Sequence, residues 1–183
     1  MVRSILSLAL LVSAALGLTA SGSLAASPDN TLYMDLKDGR VVIELRPDLA
    51  PKHVQRIKKL VKEGFYDGLT FHRVITGFMA QTGDPKGDGT GGSKYPNLPS
   101  EFTQTPFKRG TIGAARSSDP NSANSQFFIC LEDASHLNGT YTVWGQVTEG
   151  MQLVDRIKKG SGGNGQVFNP DKIIKMQLAS DAR

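Results

Sequence analysis

The chain has 183 residues, 39% of them hydrophobic, with 21 Lys+Arg against 17 Asp+Glu for a net charge of +4. That is about one domain's worth of chain, with enough apolar content to bury a core. A small, scattered positive charge argues against nucleic acid as a partner, and a single cysteine excludes an internal disulfide.

Arg3 precedes an uncharged apolar run over residues 5–18, and small residues around Ser23-Leu24-Ala25 follow. This layout predicts a cleavable secretory signal over residues 1–26, with Ala25 or Ala26 the last residue removed. The apolar run is shorter than the ~20 residues needed to cross a bilayer, which disfavours a retained anchor. The remainder, residues 27–183, is expected to be one soluble domain without membrane attachment.

Leu32, Met34 and Leu36 alternate with polar residues, Asp38-Gly39 supplies a turn, and residues 41–45 return as a second strand. A helix is predicted from Pro51 to a stop at Gly64. Val54, Ile57, Leu60 and Val61 share its apolar face, while His53 and the Lys58, Lys59, Lys62 cluster read as solvated. Strands are predicted over 69–75, 78–82, 111–115, 126–130 and 141–147, with a turn at Asn138-Gly139. A second helix is predicted over 151–159, then a flexible loop over 160–165, then a closing strand through Ile174, Met176 and Leu178. Many short strands with two helices predict a mainly-β fold, an antiparallel sheet closed into a barrel. The Gly- and Pro-rich stretch 83–99 reads as a long functional loop, because strands resume after it.

Gly87-Asp88-Gly89-Thr90-Gly91-Gly92 matches G-x-G-x-x-G, but a dinucleotide fingerprint must open a helix. Tyr95-Pro96 and Leu98-Pro99 forbid one here, and Ser93-Lys94 reverses the order a P-loop needs. There is no G-x-S-x-G elbow, and the three histidines, His53, His72 and His136, do not cluster with other ligand residues. No nucleophile, metal site or cofactor site is expected. Cys130, in the apolar run Gln126-Phe127-Phe128-Ile129-Cys130, reads as a buried, inert thiol.

The run Phe71-His72-Arg73-Val74-Ile75-Thr76-Gly77-Phe78-Met79-Ala80-Gln81-Thr82-Gly83-Asp84 resembles the cyclophilin signature F-H-R-x-I-x-x-F-x-x-Q-x-G-D. Ser125-Gln126-Phe127-Phe128-Ile129-Cys130, then Leu137-Asn138-Gly139, then Val143-Trp144-Gly145 follow in that family's order. The resemblance spans essentially all of residues 27–183. It implies a closed eight-stranded antiparallel barrel with two capping α-helices, and a peptidyl-prolyl cis–trans isomerase. It further implies Arg73 and Gln81 as catalytic residues and a proline pocket of Phe78, Met79, Phe128 and Leu137. Gln126 falls at a polar position, and Ala115 and Arg116 near the residue before proline. His136 stands where the best-known eukaryotic members carry tryptophan, and Tyr141 where they carry histidine, as in bacterial members. Cyclosporin is therefore expected to bind weakly.

The chemistry implied needs no cofactor. Rotating an X–Pro bond breaks amide resonance against a barrier of ~18–20 kcal/mol. An apolar pocket and a fixed guanidinium donor suit that task. The expected partners are proline-containing, unfolded or partly folded polypeptides, met by a monomer in the bacterial periplasm or, alternatively, along a secretory pathway. A peptide-holding chaperone on the same fold is the competing reading, which Arg73 and Gln81 disfavour. Asn138-Gly139-Thr140 is a glycosylation sequon that matters only in a eukaryotic secretory pathway.

Overall fold

A computed structural model describes residues 27–182; the predicted signal segment, residues 1–26, lies outside them. The first hairpin forms as its alternation requires. β1 (Thr31–Leu36) and β2 (Gly39–Leu45) pair antiparallel with Leu36 opposite Gly39. Leu32, Met34, Leu36, Val41, Ile43 and Leu45 all turn to the interior. Helix α1 (Pro51–Lys62) then buries Val54, Ile57, Leu60 and Val61. Each such residue contributes roughly 1.5–3 kcal/mol on leaving water, enough to fix the helix on the sheet.

His53 was expected at the surface and is instead buried, with 3% exposure. The reason is the helix start. The N-cap, Ala50, offers no side-chain acceptor, and Glu101 from the long loop supplies one. Its carboxylate accepts the Lys52 and His53 backbone N–H groups, each at 3.0 Å, and lies 2.6 Å from His53 Nδ1.

The remaining strands are β3 (Arg73–Ile75), β4 (Met79–Thr82), β5 (Thr111–Ala114), β6 (Phe127–Cys130), β7 (Val143–Glu149) and β8 (Lys175–Leu178). All eight join one antiparallel sheet in the order β3-β4-β6-β5-β7-β2-β1-β8. Its inner face is filled by the core, where Phe127 meets Tyr66 and Trp144 edge-on at 5.6 and 5.3 Å.

The closed barrel expected from sequence is not formed. β3 and β8 are the two edges of an open half-barrel, and a single bridge, Thr70 to Lys172, spans the seam. The edge of β3 is occupied by another segment. Val74 donates to the Gly165 carbonyl and accepts from the Gly160 N–H, while Val167 N–H donates to the His72 carbonyl. The chain that returns to the sheet after that passes Pro170, which has no N–H to give a ladder.

The same segment shortens the second helix. α2 spans only Met151–Val154, against the predicted 151–159. Gly160 must lie flat against Gly165, where an added Cβ would sit 2.0 Å from the Gly165 carbonyl oxygen, so the chain unwinds before it. The predicted flexible loop 160–165 is thereby a strap across the β3 edge.

Candidate functional site

β3, β4 and β6 present their outward residues in register. Arg73 faces Gln81, and Gln81 faces Phe128, while Met79 faces Cys130. Strand alternation sends Ala80 into the core and leaves Met79 and Gln81 on the outer face. A second apolar cluster forms there from Met79, Phe107, Phe128, Cys130, Ala134, Leu137 and Val143. Cys130 is buried, as expected, and burial pushes its thiol up to about 12.

Above this cluster opens a hollow of about 300 Å³. It is lined by Arg73, Phe78, Met79, Gln81, Ala115, Arg116, Phe128, His136, Leu137 and Tyr141, ten of the eleven residues singled out from the sequence. Phe78 and His136 stand 5.3 Å apart, and Tyr141 meets Phe128 edge-on at 5.8 Å. The eleventh residue, Gln126, lies beside the hollow in a more polar cavity of about 490 Å³ that shares Gln81, Ala115 and Arg116.

A hydrogen-bond chain fixes the rim. Arg73 Nε donates to the Asn164 carbonyl at 2.8 Å, and Nη1 to Gln81 Oε1 at 3.1 Å. Gln81 Nε2 donates to Gln126 Oε1 at 2.9 Å, and Gln126 Nε2 to the Gly89 and Gly91 carbonyls at 3.0 and 2.8 Å. The guanidinium is thus clamped from both sides, and none of the described residues takes Nη2. Arg116 lies 4.4 Å from the Tyr141 ring centroid and donates to the Thr140 and Ser117 carbonyls, each at 2.9 Å.

Sequence reasoning missed four contributors. Asn164 enters only through its carbonyl, which no side-chain pattern reveals. Phe107 stacks behind Phe128 at 5.8 Å. Gly113 makes that stack possible, because a Cβ there would sit 2.5 Å from Phe128 Cζ and 2.7 Å from Phe107 Cε1. A glycine inside an apolar strand was its one available signal. The Gly87–Gly92 motif also has a part, the inverse of a phosphate cradle. Its loop donates the Lys86, Asp88 and Gly89 N–H groups to Asp84 and turns carbonyls toward Gln126.

No Ser, Thr, Cys, Lys or carboxylate lines the hollow among the described residues. His72, beside Arg73 in sequence, is buried, and that burial lowers its pKa. The arrangement suits non-covalent work: two fixed guanidinium groups, Arg73 and Arg116, at the edge of an apolar depression.

Residues 31–178 match the family described as cyclophilin type peptidyl-prolyl cis-trans isomerase/CLD. The chain belongs to the cyclophilin family. It is a peptidyl-prolyl cis–trans isomerase of mainly-β architecture. A probable peptidyl-prolyl cis-trans isomerase of Brucella suis is 57% identical, covering 100% of this chain and 98% of that protein. Peptidyl-prolyl cis-trans isomerase B of Bacillus subtilis is 43% identical, covering 71% and 92% respectively. A crystal structure of a cyclophilin from Hirschia baltica superposes with a TM-score of 0.76 at 27% identity, covering 86% of this chain and 77% of that one. A cyclophilin-type isomerase of Cryptosporidium parvum, crystallised in the presence of the dipeptide Ala-Pro, gives 0.74 at 26% identity, covering 81% and 98%.

Proposed function

We propose that this cyclophilin holds the proline ring of unfolded or partly folded exported polypeptides in the 300 Å³ hollow and turns the preceding bond with Arg73. In the twisted transition state the amide nitrogen regains its lone pair and the carbonyl loses partial negative charge. An apolar floor of Phe78, Met79, Phe128 and Leu137 favours this less dipolar form over the planar one. Arg73 donates toward the pyramidal nitrogen and anchors the substrate. A guanidinium cannot lose its proton at working pH and keeps its donors in one plane. Lowering the barrier by about 7 kcal/mol would give about five decades of rate.

The observation that carries this reading is the clamp on Arg73 by Gln81 and the Asn164 carbonyl at the edge of an apolar hollow. A donor held in place needs no reorganisation when the bond twists. Gln81 acts as the link that fixes it, and Ala115, Arg116 and Gln126 border the path of residues preceding the proline. Exchange spectroscopy on an Ala-Pro tetrapeptide tests the placement. Catalysed cis–trans exchange should accompany shifts at Phe78, Met79, Phe128 and Leu137, and exchange with shifts confined elsewhere would overturn it.

Export to the periplasm after cleavage within residues 25–27, and help in folding clients there as a monomer, are part of the same proposal. Support comes from the charge, apolar run and small residues at the start of the chain. N-terminal sequencing of the exported protein should begin at Ala26 or Ser27; full-length protein retained in membranes would contradict this.

A further inference from the structure

The 93–98 segment presents Ser93 and Asn97 to the polar cavity beside the site, and Tyr95 and Leu98 to a separate hollow of about 310 Å³ against α1. Three of the side chains lining that second hollow are cations, Lys52, Arg56 and Lys59. Their spacing of four and three residues places them on one stripe of the helix. None forms an ion pair with a carboxylate among the described residues. The acidic groups nearby are already engaged. Glu101 serves the start of α1 and His53, and Glu63 accepts from the Tyr95 hydroxyl and lies 3.9 Å from Lys94.

The cations crowd one ring. Lys59 Nζ, Arg56 Cζ and Lys94 Nζ lie 4.1, 5.1 and 5.3 Å from the Tyr95 centroid. The ring face offsets part of their charge, but it gives the guanidinium no in-plane acceptor. Arg56 Nη1 is buried with no hydrogen-bond partner among the described residues, so no carboxylate or carbonyl of the fold neutralises this guanidinium at that atom. Burial also lowers the Arg56 pKa, and the neighbouring Tyr66 and Tyr95 offset this only in part. Mutual repulsion among these cations is relieved by an oxyanion, which can also accept from the lysine ammonium groups and the remaining guanidinium N–H groups at the hollow.

We infer that this hollow is a binding site for a polyphosphate-type oxyanion, with Arg56 as its central donor and Lys52 and Lys59 flanking it. Lys52 and Lys59 leave the helix about 10 Å apart along its axis at 1.5 Å per residue, a span that linked phosphates match better than one phosphate or carboxylate. A chain of linked phosphates spans them, and Gln55 adds a neutral donor at the wall. The hollow shares no residue with the isomerase site, so binding is separable from turnover.

Amide-shift titration with inorganic tripolyphosphate, at ionic strength held constant with sodium chloride, tests the inference. Saturable shifts are expected at residues 52–59 and 95–98, with monophosphate at least tenfold weaker. Arg56→Gln and, separately, Lys59→Gln should each weaken tripolyphosphate at least tenfold while leaving kcat/KM on an Ala-Pro peptide within twofold of wild type. Lys59 is exposed, so its variant remains informative if Arg56→Gln folds poorly. Absence of saturable shifts, binding undiminished in both variants, or a tetraglutamate peptide binding as tightly as tripolyphosphate would each overturn it.

Discussion

Adding one methyl group at Gly113 should damage the isomerase from beneath. Gly113 sits in β5 opposite Phe128 in β6. A Cβ there would lie 2.5 Å from Phe128 Cζ, 2.9 Å from its Cε1 and 2.7 Å from Phe107 Cε1. Ordinary contact begins near 3.4 Å, so the Phe128 ring must move by about 0.9 Å. It cannot retreat, because Phe107 stacks behind it at 5.8 Å and is crowded by the same methyl. The ring is therefore driven toward the hollow whose floor it forms, or β5 separates from β6. Overpacking of this kind typically costs ~1–3 kcal/mol of stability, which is roughly 2–12 °C in Tm for a domain of this size. A displacement near 1 Å at a reacting centre can cost ~100-fold in rate. Gly113→Ala is expected to lower kcat/KM on an Ala-Pro peptide by roughly 10- to 100-fold while remaining folded by circular dichroism. Phe107→Leu in the same chain should recover part of both losses, as coupled neighbours do. A folded Gly113→Ala protein with kcat/KM within twofold of wild type would refute the reasoning.

Other consequences follow from particular groups. Burial lowers the His53 pKa despite its bond to Glu101. A depressed folded-state value contributes stability that is present above the unfolded pKa near 6.5 and is lost as pH falls below it. The unfolding free energy should therefore drop from pH 7 to pH 5 by at most about 1.4 kcal/mol per pH unit for this group, with Tm falling alongside, and His53→Asn should flatten that slope while lowering Tm at pH 7. The cyclophilin resemblance sets His136 where it implies a tryptophan in drug-sensitive eukaryotic members, and the residue is exposed beside Phe78. His136→Trp should tighten cyclosporin inhibition about thirtyfold, from ~2 kcal/mol of added aromatic anchoring, with equal inhibition constants the contrary result. Cys130, fully buried with its thiol pushed up to about 12, should resist iodoacetamide in the native protein at pH 8 and react only on unfolding; rapid native alkylation would show the strand to be open.

The parts of this fold that read cleanly from the sequence are those set by local rules. Alternating apolar residues around Asp38-Gly39 gave the β1–β2 hairpin, and one apolar stripe behind Pro51 gave α1. The outward side chains of the site were legible because they lie in one continuous signature and one strand, Arg73 to Gln81 and Gln126 to Phe128. What escaped depends on distant chain. The sheet stays open where the strap around Gly160 and Gly165, rather than β8, occupies the β3 edge. The short α2 has the same cause. The burial of His53 depends on Glu101, 48 residues away, which no helical period encodes. Gly113 and Phe107 matter through a ring stack assembled across two strands and a loop.

The central claim is that a clamped Arg73 turns the X–Pro bond. It is tested most directly by kcat/KM on an Ala-Pro tetrapeptide for Arg73→Ala and Arg73→Lys, alongside circular dichroism and Tm. Arg73 is half-buried on a three-residue edge strand, so neither change should unfold the protein. Loss of most activity in Arg73→Ala, with little recovered in Arg73→Lys because a point charge does not reproduce a planar fork, is the result expected. Near-normal turnover by a folded Arg73→Ala protein would contradict the account.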